Sequence, residues 1–407
     1  MSVELNDARC LTADLAWNTF LPNETLAAIF RGLSPSVLAT IAPVSRQWRG
    51  VAEWLLYSNI SISETLSTSS PFPYSTLRCC QTIRLHSHLA SGLSKLYIRW
   101  KSEHGAHYEP DFDLLLSNLS QAIGLAINLE SLDLHLGLPC LPEHPTLTSL
   151  TFPATDVHYH SLRRVSLSGI GPFAHNRLTH FLNILPAARH LRLPDYHDQI
   201  ALLPQALPSL ISFSGSPRVA AAILPGRPVQ SLVLIGQDYI TDLDLSRMAL
   251  TSIPLRHLDL SSMLVTPTLL RNLSRNLNTV ESLKVKLALR HTLHFAGIGL
   301  LAALSHLLSA FHRLSTLDLS PTHVDYTGLS NSAEELSLCR SWQNACPSLR
   351  RVVFPSQTEW TLQEDDNTWL SVLLGGSRRR VGTFLAFRDV LLMTECIACV
   401  SFVEEVP

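Results

Sequence analysis

Charge is the first thing this sequence is short of. Of its 407 residues only 16% are Asp, Glu, Lys or Arg, against about a quarter in ordinary soluble domains. The two signs nearly cancel, giving a formal net charge of −2 at pH 7, which excludes a chain that holds polyanions through its overall charge. Aromatics are also few, at 7%. The 8 cysteines are too sparse for a disulfide framework and read as reduced thiols. Long uninterrupted apolar runs are missing, and a membrane-spanning helix needs about 18 or more such residues. The nearest candidate, residues 384–403, carries Arg388, Asp389 and Glu395. The first residues, with Glu4 and Asp7, lack the basic start and apolar run of a secretory signal. The expectation is therefore a cytoplasmic or nuclear protein without a membrane or nucleic-acid partner. Catalytic signatures are lacking too: there is no G-x-S-x-G, no Walker loop and no H-E-x-x-H. The sequence predicts no enzyme, no cofactor and no metal.

What the chain has in surplus is leucine. With 76 leucines and 46% hydrophobic residues it can bury ample apolar surface, which excludes disorder as its main state. The pattern L-x-x-L-x-L recurs along it. Clear copies are Leu129-Leu132-Leu134, Leu162-Val165-Leu167, Val229-Leu232-Leu234, Leu255-Leu258-Leu260, Val280-Leu283-Val285, Leu314-Leu317-Leu319 and Leu349-Val352-Phe354. Weaker ones are Leu93-Leu96-Ile98, Ala188-Leu191-Leu193 and the variant Leu207-Leu210-Phe213, and Cys80-Ile83-Leu85 is read as a possible opening copy. The alternating centre of each copy predicts a short strand that buries its leucines and exposes the residues between. Runs with helical spacing lie between strands, at 113–129, 268–277 and 300–311. Stacked strand-plus-helix units of this kind build a solenoid with a curved parallel sheet on one face.

This pattern resembles the leucine-rich repeat family, in a degenerate form. Family members usually carry asparagine or cysteine three residues after the last strand leucine. Gly137, Ile170, Tyr196, Gln237, Met263 and Thr322 stand there instead. A regular asparagine ladder is therefore not expected.

The first 60 residues follow another rule. Leu26, Ile29, Phe30 and Leu33 recur at helical spacing after Pro22, and Ser34-Pro35 reads as an N-cap followed by a first-turn proline. Pro43 interrupts the second helix, and Val44, Trp48, Val51 and Leu55 form a third apolar stripe. Three short helices make a small core. The segment from Phe20-Leu21-Pro22 through Ile29-Phe30, Leu33-Ser34-Pro35 and Val44-Ser45-Arg46-Gln47-Trp48-Arg49, followed by Leu55 to Ile60, resembles an F-box. The whole chain is similar to fungal F-box proteins with degenerate leucine-rich repeats.

The fold class expected is thus α/β: a small three-helix F-box, then an irregular leucine-rich-repeat solenoid. The boundaries read as a tail at 1–15, the F-box at 16–60, a Ser/Pro-rich linker at 61–76, the solenoid at 77–360 and an unassigned tail at 361–407. The resemblance implies the substrate-recognition subunit of an SCF-type ubiquitin ligase. The F-box would dock on a Skp-type adaptor, and through it on cullin and RING subunits, by the positions that match the motif: Leu21, Pro22, Leu26, Ile29, Leu33, Val44 and Trp48. Some of these could equally form the module's own core. Substrate would bind the outward strand positions, where Arg84, Lys95, Arg99, Arg164, Arg192, Lys284, Lys286 and Arg351 face Asp133, Asp259 and Asp318. That basic excess suggests an acidic or phosphorylated protein substrate. The alternative is a repeat scaffold with no ubiquitin link.

Three signals compete. Gly297-Ile298-Gly299-Leu300-Leu301-Ala302, with Asp318 beyond, imitates a dinucleotide fingerprint but lies in register with the repeats. Cys396 and Cys399 form a lone C-x-x-C, and His86 with His88, or His158 with His160, could share a strand face. None has the partners that complete a zinc site.

Overall fold

In the computed structural model the described residues are 21–67, 69–102, 112–137, 159–169, 175–198, 200–236, 238–287, 297–322, 332–363 and 365–373. They divide into two compact units, Met1–Tyr57 and Ser58–Pro407.

The first unit contains α1 (Asn23–Phe30), α2 (Pro35–Ile41) and α3 (Arg46–Ser58), the last ending at the unit boundary. Each start has a local cause. Pro22 accepts from the Leu26 amide at 3.0 Å to begin α1. The Ser34 hydroxyl caps α2 through the Val37 amide at 3.4 Å, with Pro35 at the first helical position. The Ser45 hydroxyl accepts from the Trp48 amide at 3.1 Å and opens α3 after the Pro43 break. Leu26, Ala27, Phe30, Leu38, Val51 and Ala52 make the core, and Phe30 meets Trp48 edge to face at 5.3 Å.

The second unit is one 13-stranded sheet, its strands in sequence order. It runs β1 (Asn59–Leu66), α4 (Tyr74–Leu85), α5 (Ser87–Gly92), β2 (Lys95–Ser102), α6 (Phe112–Leu125), β3 (Ser131–Leu136) and β4 (Arg164–Ser168). Next come α7 (His175–Asn183), β5 (His190–Leu193), β6 (Ser212–Gly215), α8 (Pro217–Ile223), β7 (Ser231–Leu234), α9 (Asp242–Met248) and β8 (His257–Val265). The chain continues through α10 (Pro267–Asn276), β9 (Ser282–Leu287), a 3₁₀ helix (Gly297–Leu304), α11 (Ser305–Leu308), β10 (Thr316–Asp318) and α12 (Ser332–Ala345). It closes with β11 (Arg351–Val353), β12 (Thr358–Gln363) and β13 (Thr368–Leu373). Strands β1 to β11 pair in parallel, and β12 and β13 are antiparallel.

The register explains the leucine surplus. Ile60, Leu96, Leu132, Val165, Leu191, Phe213, Leu232, Leu258, Leu283, Leu317 and Val352 fall on one line across the sheet, all buried. Burying each such side chain contributes about 1.5–3 kcal/mol, so the line is the structural spine. Small polar caps start the helices behind it: Thr241 and Asp244 form a reciprocal capping box on α9, and Thr266 with Pro267 starts α10.

A backbone ladder takes the place of the asparagine ladder. At the entrance of successive strands one carbonyl accepts from two consecutive amides of the next strand. Ser94 O accepts from Glu130 and Ser131 at 2.7 and 3.1 Å, and Glu130 O from Arg163 and Arg164 at 2.8 and 3.1 Å. The same pairing recurs at Arg163, Arg189, Ile211, Gln230, Arg256, Glu281 and Ser315. Of the positions lacking asparagine, Thr322 restores part of its role: its buried hydroxyl accepts from Leu287 N at 3.1 Å and reaches Val285 O at 3.3 Å.

The structure differs from the sequence reading in four places. Cys80-Ile83-Leu85 is not a strand but the end of α4, so Arg84 lies on a helix. Residues 59–66, all but the first two inside the expected linker, form β1, the first strand of the sheet. The expected tail from 361 begins inside an antiparallel cap, β12 and β13. In the Leu207 copy, Phe213 rather than Leu210 takes the middle position of the spine.

Candidate functional site

Within the helical unit, the seven motif positions separate into two groups. Leu26 is 2% exposed and belongs to the core, and Trp48 is half-buried against Phe30. Leu21, Pro22, Ile29, Leu33 and Val44 are all exposed, with Val44 at 64% and Ile29 at 55%. Val37 and Trp54 are exposed apolar residues that the motif reading did not single out. The Gln47 side-chain amide donates to Leu21 O at 2.6 Å and to Asn23 Oδ1 at 3.1 Å, fixing the chain entry beside the start of α3. The module thus presents several exposed apolar side chains on a three-helix frame. An apolar surface of this kind is what a partner's groove can cover.

On the sheet unit, seven of the eight expected basic residues lie on strands. Arg84 does not: its guanidinium donates to the Asn118 side chain, tying α4 to α6. The remaining seven fall into two electrostatically different halves.

Toward the C-terminal end Lys284 and Arg351 are matched by carboxylates, while Lys286 stands in register with Leu264 without an ion pair among the described residues. Lys284 is in register between Asp259 on β8 and Asp318 on β10, and its ammonium lies 3.5 Å from Asp318. The Arg351 Nε donates to Glu359 on β12 at 2.6 Å. Behind them Arg256 and Glu281 are 3.7 Å apart. The Glu359 contact could not be foreseen, because no repeat copy extends beyond Phe354 to place Glu359 beside β11.

Toward the N-terminal end the charges are not matched. Lys95, Ser131 and Arg164 share one register line, followed by Tyr97, Asp133, Ser166 and Arg192, then by Arg99 and His135. Asp133 is the carboxylate among these positions. Burial raises its pKa above the usual carboxylate range, and the hydrogen bond from Ser166, then Arg192, Arg99 and His135, pull it back. Arg192 on β5 and Arg99 on β2 are thus near enough to act on it across the sheet face. The Arg99 guanidinium lies 5.5 Å from the Tyr97 ring centre, and its Nε makes no hydrogen bond among the described residues.

Among the described residues, the competing motifs take ordinary structural places. The Gly297 segment opens a 3₁₀ helix, and Asp318 faces Lys284 rather than a nucleotide crevice. His86 caps the end of α4, and its ring meets that of His88 edge to face at 5.8 Å. His158, Cys396 and Cys399 lie outside the described residues, as do Ile170 and Gln237. Among the described residues, no helix is long and apolar enough to cross a membrane.

Comparison with known proteins bears on the helical unit. No curated protein sequence matches the chain. Among solved structures, one chain of the crystal structure of the Rad7 and Elc1 complex in yeast is similar over 81% of this chain and 87% of that one, with 15% identity and a TM-score of 0.31. A likeness of that size carries no partner or activity across. Residues 19–63 of this chain match the F-box-like family.

Proposed function

We propose that this protein is the substrate-recognition subunit of an SCF-type, cullin-RING ubiquitin ligase. The F-box-like helices bind a Skp-type adaptor, which brings cullin and RING subunits, and the sheet unit binds the protein to be modified. The observation that carries this reading is the F-box-like match over residues 19–63 together with the exposure of Leu21, Pro22, Ile29, Leu33 and Val44. In a helix-in-groove interface a few apolar anchors supply most of the affinity. Leu26 and Trp48 contribute by holding the frame on which those anchors sit.

The chain itself makes no bond in this scheme. It holds ligase and substrate together, so that transfer proceeds at a high effective concentration. Affinity capture of the full chain from cells with the proteasome blocked tests the reading. The adaptor and a stabilised substrate are expected together, and Leu21→Ala with Pro22→Ala is expected to lose the adaptor while keeping the substrate. Capture of a partner without any adaptor would instead make the chain a repeat scaffold.

A further inference from the structure

We propose that the outward face of strands β2 to β5 is a seat for an acidic, phosphorylated segment of a protein substrate. The inference deepens the function proposed above and rests on it for the substrate being a protein.

The basic residues of the sheet face are unequal in what they can offer. Lys284 and Arg351 already face carboxylates at 3.5 and 2.6 Å. An incoming anion there must displace a partner and meets Asp259, Asp318 and Glu359. On β2 to β5, by contrast, Lys95, Arg99, Arg164 and Arg192 outnumber the carboxylates of Asp133 and of Asp195, which accepts from the Ser168 hydroxyl on the Arg99–His135 line. The seat keeps a net positive charge after both carboxylates are counted.

Its chemistry suits phosphate. Three of the four cations are arginines, whose planar forks match phosphate oxygens in pairs. Arg99 is held against the Tyr97 ring, so part of its ordering cost is met before a ligand arrives. The hydroxyls of Ser131 and Tyr97 lie on the same register lines and supply neutral donors.

Size points to a peptide with more than one anionic group. Arg99 on β2 and Arg192 on β5 are three strands apart, roughly 14 Å at the backbone given a strand spacing of about 4.8 Å. A single phosphate cannot span that. A nucleic acid would need a continuous basic track, whereas the neighbouring strands β6 and β7 offer Ser212, Ser214, Ser231 and Val233, and on β9 and β11 Lys284 and Arg351 are already paired with carboxylates.

The test uses the purified full chain and a fluorescent peptide with phosphoserine flanked by glutamates. Its alanine counterpart, inorganic phosphate and a single-stranded oligonucleotide serve as competitors. The phosphopeptide is expected to bind and to outcompete all three. Arg164→Glu with Arg192→Glu is expected to weaken it by about tenfold or more, and Lys284→Glu with Lys286→Glu by less than about twofold. Equal losses in both variants, no loss in the first, or better competition by phosphate or the oligonucleotide would each overturn the seat. If the first variant unfolds early, Asp133→Asn decides: removing the competing carboxylate is expected to tighten binding, and unchanged or weaker binding counts against the proposal. Peptide binding is read without the adaptor, so failure of the seat and failure of adaptor capture are separate results.

Discussion

Single residues show where leucine patterning stops describing this protein. Arg227 is 4% exposed, and its guanidinium donates to backbone carbonyls of Ala206 at 2.9 Å, Leu203 at 3.1 Å and Pro225 at 3.2 Å, and to that of Ile223. It ties the irregular segment before β6 to the end of α8. Nothing in the sequence separates it from a surface arginine, because its partners are main-chain atoms. Arg227→Ala leaves those carbonyls buried without donors and is expected to destabilise the sheet unit by about 3 kcal/mol, read by chemical denaturation. Gly215 explains the misplaced Leu207 copy. It stands where a strand leucine belongs, and a Cβ there would lie 2.8 Å from the Phe213 ring and 2.9 Å from Leu193 O. The Phe213 ring fills the space, so the repeat reads correctly only once the ring's position is known. Asp133 gives the pH prediction. Its folded pKa is raised chiefly by burial, so its charge costs stability at neutral pH, and that cost fades as pH falls through the folded pKa toward the ordinary value of 3.8. Asp133→Asn is therefore expected to stabilise the protein more at about pH 7 than at about pH 4, and the reverse order of the two differences would contradict the burial argument.

Elements were legible in proportion to how strictly they alternate. Strands β2 to β5 and β7 to β11 are legible because leucine, valine or isoleucine recurs at their inward positions. β1 was missed because Glu64 stands at an inward position, in register with Trp100. Its carboxylate has a specific task there. It accepts from the Ser75 and Thr76 amides at 2.9 and 3.1 Å and from the Thr76 hydroxyl at 2.5 Å, at the N-terminal turn of α4. Thr76 in turn accepts from the Trp100 indole at 3.0 Å. Glu64→Ala is expected to cost about 1–2 kcal/mol and to speed amide exchange first in α4. The β12–β13 cap hides its logic in the same way. Glu335 on α12 is 1% exposed and accepts from the Trp360 indole at 2.8 Å and the Ser356 hydroxyl at 2.6 Å. A glutamate in a helix's first turn looks like a solvated residue until its distant partners are placed. Glu335→Ala is expected to loosen β12 and β13 while β2 to β9 keep their protection, whereas Glu335→Gln retains an acceptor for one of the two donors and costs less.

At the scale of the whole molecule, two different codes share one chain. A three-helix module is read from caps, a proline break and a 3.6-residue stripe; the sheet unit is read from period-two strands. The broad architecture was therefore legible. The candidate binding surfaces were less so, because a sequence gives charge by residue and not by neighbourhood. Lys284 and Arg192 look alike on paper, but only one is flanked in register by two aspartates. Leu26 and Ile29 look alike too, and folding buries the first and leaves the second 55% exposed. On the function proposed above, the exposed positions Leu21, Pro22, Ile29, Leu33 and Val44 of the F-box-like segment hold an adaptor. Titrating the purified full chain with a purified Skp-type adaptor tests it most directly. A saturable one-to-one complex is expected with the unaltered chain, and its loss is expected with Ile29→Glu and Val44→Glu at an unchanged thermal midpoint. No complex with the unaltered chain, or equal affinity in the variant, would contradict the account.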